Sequence, residues 1–146
     1  MWIPIGSGLF LVALAVSAIV VPELRLLHFL QALIYVVVVL LARRNSTWAF
    51  GAGFTIAAVW NCLETFGPHL MRAGAVMIWS FLHTGQVQHV ETMMVPIGGI
   101  GHLILVVACL AAFSNQTTKH KWWKFVGGGA LALAYFALIV GIARPR

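Results

Sequence analysis

The sequence carries three acidic side chains, Glu23, Glu64 and Glu91, and six histidines, His28, His69, His83, His89, His102 and His120. Imidazole binds iron, copper and zinc, carboxylates add oxygen ligands, and either group can move a proton. Some of the spacing is helical: His28, Gln31 and Tyr35 stand at i, i+3, i+7; Asn61 and Glu64 at i, i+3; Gly98 and His102 at i, i+4. Residues so spaced share a helix face. A site built from them would use Glu64 as catalytic acid or proton carrier. His102, His28, His83, His89 and Glu91 would be metal ligands, and Asn61, Gln31 and Trp79 would contact a substrate. Haem b between histidines of facing helices, or a lone iron, copper or zinc ion, suits such a donor set.

Each residue also has a plainer role. Glu23 and His28, close to an interface, are explained by solvation, and Glu64 by reaching headgroup water. His102 can serve as an interhelical hydrogen bond, and His83 and His89 as wet loop residues. No HExxH, GxSxG, GxGxxG, Walker loop or clustered histidine box occurs, so no complete catalytic or nucleotide-binding signature is present. Cys62 and Cys109 lie inside apolar runs without CxxC spacing, which removes disulfide scaffolds, zinc ribbons and c-type haem attachment.

The elements that must position these groups are set by composition. Of 146 residues, 62% are hydrophobic and 8% charged, and mean hydropathy is +0.98. A soluble domain has about 25% charged residues, so the sequence predicts an all-α integral membrane bundle in one domain, 1–146. Runs of about 20 apolar residues cross a bilayer, which gives five spans at 2–21, 26–42, 48–66, 94–113 and 125–143. Val16-Ser17-Ala18 resembles a signal cleavage site, but no basic residue precedes Arg25, so the first run is expected to stay as a span. The Gly67–Met93 stretch holds an apolar part, Ala73–Leu82, too short to cross, and predicts an interfacial or re-entrant segment. Trp79 suits headgroup depth, and a loop of this length suits a lid.

Five spans place all three acids and five of the six histidines at one end, with His120 alone at the other. His102 would sit about 12 Å deep, eight residues into the fourth span. Arg43, Arg44, Lys119, Lys121 and Lys124 occupy the opposite end, against Arg25, Arg72, Arg144 and Arg146. The short internal loops put the Lys119/Lys121/Lys124 side in the cytoplasm, where the sequons at Asn45 and Asn115 would stay unmodified. The net charge of +6 comes from isolated cations between apolar runs; these read as topology signals and anionic-lipid contacts, not as a nucleic-acid arm. Gly98, Gly99, Gly101 and Gly127–Gly129 read as helix-packing surfaces.

Three functions fit these features. The leading one is a metal- or haem-dependent redox enzyme acting on a lipid or quinone-like substrate. The others are a non-enzymatic subunit of a larger membrane complex, and a small homo-oligomeric transporter or proton relay through Glu64 and His102.

Overall fold

A computed structural model of the chain describes residues 2–67, 69–87 and 89–143. Pro68, Arg144, Pro145 and Arg146, which end the third and fifth predicted spans, lie outside the described residues. Among those residues the architecture is all-α and without strands: α1 (Ile3–Val20), a single 3-10 turn (Pro22–Leu24), α2 (Arg25–Arg43), α3 (Thr47–Phe66), α4 (Leu70–Thr84), α5 (Val90–Ser114) and α6 (Lys121–Ala143). Four of these segments, α1, Pro22–Arg43, α5 and α6, are long and apolar enough to cross a membrane.

The third predicted span is the informative exception. At 20 residues α3 is also about 30 Å long. It is less apolar because it carries Thr47, Thr55, Asn61, Glu64 and Thr65. Its position allows this, since α3 packs on α2, α4, α5 and α6 and buries Phe50, Ile56 and Ala57 completely or nearly so. A helix walled by protein needs less apolar surface than one facing lipid.

Close packing is set by small residues. At the α1–α5 crossing, a Cβ on Gly6 would lie 2.7 Å from the Gly101 carbonyl oxygen, and one on Gly101 would lie 2.8 Å from that of Gly6. The two backbones are therefore in direct contact there, and no other residue fits at either position. The α3–α6 crossing is built in the same way from Gly51 and Gly128. Around these crossings Phe10, Tyr35, Val38, Phe50, Ile56, Leu105 and Cys109 form one buried cluster.

The stretch between α3 and α5 folds as α4, whose 15 residues span about 22 Å, short of a bilayer core. It packs on the first part of α5 at a position prepared by proline. Pro96 has no N–H to offer the Thr92 carbonyl, and Gly74 of α4 lies against that carbonyl and the Pro96 ring. The far side of α4 is bare, with Val76, Trp79 and Leu82 all exposed. Helix α5 begins at Val90, four residues before the predicted span, with Glu91 in its first turn. A carboxylate there is favoured by the helix dipole.

The two ends of the bundle differ in chemistry. At the lysine end, Gln116 Nε2 donates to Asn45 Oδ1 over 2.8 Å, latching the α5–α6 loop to the α2–α3 turn. Lys121 Nζ donates to the Gln116 carbonyl over 2.9 Å. The three acids stand at the other end, in the 3-10 turn, the last turn of α3 and the first turn of α5.

Candidate functional site

At that acidic end the bundle forms a partly open cavity of about 360 Å³, within the usual range for small-ligand sites. Five helices build it. Helix α2 contributes His28 and Gln31, three residues apart and so on one face; α3 contributes Trp60 and Glu64, four apart. Helix α1 supplies Phe10 and its neighbours, α5 brings Glu91 to the rim, and Leu70 of α4 closes one side. The lining is mainly apolar.

The polar groups in this cavity are incompletely satisfied. His28 Nδ1 and Glu64 Oε2 are buried without a hydrogen-bond partner among the described residues. Leaving such an atom unpaired costs about 1–3 kcal/mol, so the two residues carry unmet hydrogen-bonding capacity beside the cavity. Gln31 is also buried. At the rim, His89 Nδ1 donates to Glu91 Oε1 over 3.1 Å, with His89 itself outside the lining.

A second polar layer lies behind the Phe10 ring. The Phe10 ring stands 3.9 Å from that of His102 and 4.5 Å from that of Tyr35, between centroids. His102 Nε2 and the Tyr35 hydroxyl share a hydrogen bond of 2.8 Å, and both side chains are fully buried. His102 Nδ1 and Asn61 Nδ2 have no partner among the described residues. Further toward the lysine end the core becomes apolar, through Val38, Ile56, Leu105 and Cys109.

Of the residues singled out by sequence, His28, Gln31, Glu64, Glu91 and Gly98 thus line one cavity. His102 is buried and Asn61 half-buried, and neither is part of its wall. His83 and Trp79 belong to the exposed side of α4, where His83 Nδ1 donates to the Trp79 carbonyl over 2.9 Å. His69, His89 and His120 hold left-handed backbone conformations, with φ of 56°, 51° and 60°. Each immediately precedes a helix, at the starts of α4, α5 and α6, so their backbones make turns. Among the described residues no three His, Cys, Asp or Glu side chains converge as a metal would require. Of His28 and His102, the pair on facing helices that haem b would use, His102 has its Nε2 in the hydrogen bond with Tyr35.

Most of the lining escaped sequence reasoning, Trp60 and Phe10 among it. Trp60 stands one helical turn from Glu64, a spacing that was available to find it. Phe10 carries no sequence signal that separates it from any other apolar residue of α1. No family model, curated protein or solved structure matches this chain.

Proposed function

We propose that this chain is a five-span integral membrane protein that binds the polar head of a lipid- or quinone-like amphiphile in the Glu64–His28 cavity. The observation that carries this reading is that His28 and Glu64, each with a buried side-chain atom lacking a partner among the described residues, line one mainly apolar cavity. An imidazole and a carboxyl group together can donate to and accept from a carbonyl or hydroxyl head, while the apolar wall takes a ring or chain. The same two groups can pass a proton to or from the ligand, which a quinone-reducing or quinol-oxidising partner would need. The donor set does not favour a metal ion or haem at this position, and the mechanism assigns none.

In this reading α3 is the fifth span, made tolerant of Asn61 and Glu64 by its central place. Helix α4 lies at the non-cytoplasmic interface with Trp79 at headgroup depth. The Lys119, Lys121 and Lys124 end faces the cytoplasm.

A short-tailed ubiquinone analogue titrated into the detergent-purified protein tests the proposal, with binding followed by native mass spectrometry. Saturable binding is expected. Glu64→Leu and His28→Leu should each weaken it about tenfold, the equivalent of losing one hydrogen bond of about 1.4 kcal/mol. Trp79→Leu, outside the cavity, should leave the affinity unchanged. Equal affinities for the wild type and both cavity variants would refute the assignment.

A further inference from the structure

A second concave surface lies at the other end of the molecule, and its chemistry differs from that of the cavity. Helices α2, α3 and α6 enclose a groove of about 290 Å³. Its walls include Leu33, Val37 and Leu41 of α2, and Leu131 and Tyr135 of α6, with Trp48 at the start of α3. The one hydroxyl of the lining, that of Tyr135, already donates to the Leu30 carbonyl over 2.6 Å. The groove itself therefore offers apolar surface only, and in a bilayer acyl chains are the matching occupants.

Helical register says what stands at the groove's open end. On α2 the groove stripe Leu33, Val37 and Leu41 leads toward Arg44, the first residue past the helix, where the backbone (φ −87°, ψ 12°) leaves the helical region. On α6 the stripe Tyr135, Leu131 and Gly128 continues one turn back to Lys124. Each groove face thus leads toward one cation, Arg44 just past the end of α2 and Lys124 near the start of α6. Neither cation has a hydrogen-bond or ion-pair partner among the described residues, where the one ion pair is His89–Glu91. No acid exists at this end to neutralise them, because all three are at the other. The first turns of α3 and α6 are also free of acidic residues, which leaves the positive ends of both helix dipoles uncompensated.

We infer that this groove is a binding site for an anionic phospholipid, its acyl chain lying along Leu33, Val37 and Leu131 and its phosphate held between Arg44 and Lys124. The inference is independent of the Glu64–His28 reading. Arg43 and Lys119 supply an internal control. Arg43 continues the Val36 and Leu40 face of α2, which is exposed and lies outside the groove, and Lys119 belongs to the α5–α6 loop.

The test compares phosphatidylglycerol with phosphatidylcholine of the same chains, each titrated into the detergent-purified protein and counted by native mass spectrometry. The wild type should bind one phosphatidylglycerol in preference to phosphatidylcholine. Arg44→Gln/Lys124→Gln should lower that preference about tenfold. Arg43→Gln/Lys119→Gln, with the same change in charge, should retain it. All four residues are at the surface or its edge, so both variants should fold. Equal losses in the two variants would mean diffuse attraction to a basic surface, and no loss in the first would mean no headgroup clamp; either result overturns the site.

Discussion

Gly51→Leu should abolish the folded bundle or lower its stability by more than about 3 kcal/mol, at or beyond the upper end of ordinary overpacking. The reason is what the new side chain would meet. A Cβ at position 51 would overlap the carbonyl of Phe125, which is helix backbone and cannot rotate away. Helix α6 would have to lift off α3. Lifting it would also uncover Trp48, whose carbonyl lies against Gly128, and the Trp60–Phe136 ring pair at 5.2 Å. Thermal unfolding in detergent, read beside the fraction of protein eluting as a single species, measures the loss. Gly141→Leu is the matched control on α6 itself, because nothing lies within 4 Å of a Cβ built there. A Gly51→Leu protein that melts with the control would show that α3 and α6 do not pack through this glycine.

The second large effect concerns His102 and Tyr35, and its size depends on whether they are changed singly or together. Tyr35→Phe leaves His102 with both ring nitrogens unpaired in a fully buried position, and His102→Leu strands the Tyr35 hydroxyl. Each single change should cost about 1–3 kcal/mol, the penalty of an orphaned buried polar group. The double variant replaces both partners with apolar groups of similar size. It should be less destabilised than either single variant, since removing a whole buried pair is close to neutral. A coupling of about 1–2 kcal/mol is expected from the cycle, above the average of about 0.6 kcal/mol for membrane hydrogen bonds. The Phe10 ring and the surrounding core leave the stranded partner no water to turn to. Additive costs, with the double variant the worst of the three, would show that the two side chains act independently.

Those two sites mark where sequence reading reached and where it stopped. Hydropathy located every long helix to within about four residues, because each is a run of mainly apolar residues that ends at charged, polar or proline residues. Between the third and fourth spans it indicated an interfacial or re-entrant segment, because Ala73–Leu82 is too short to cross, and the structure forms helix α4 there. The boundary at Val90 was missed because Glu91 reads as loop by hydropathy, although a carboxylate suits the first turn of a helix. Within the candidate site, the His28–Gln31–Tyr35 stripe was visible as a periodicity. Which neighbour each of its members would meet was not, since a stripe names a face and leaves the facing helix open. Tyr35 turned to His102 and away from the His28 cavity. The loop histidines drew attention by their chemistry, whereas His69, His89 and His120 stand where the backbone turns into a helix, a role that leaves no mark in spacing.

Helix α2 is the least buried of the four long apolar segments, yet it carries one wall of the acidic-end cavity and one wall of the basic groove. Such a wall is the easiest to displace, because few apolar contacts need be broken and lipid replaces them at little cost. Traffic to the cavity would then run sideways through the bilayer, with no aqueous step. Occupancy would follow the mole fraction of ligand among the surrounding lipids, and diluting the membrane with inert lipid would empty the cavity at constant total concentration. A phospholipid seated between α2 and α6 would stiffen the same wall, so the lipid composition of one leaflet would govern how fast the opposite end exchanges its ligand.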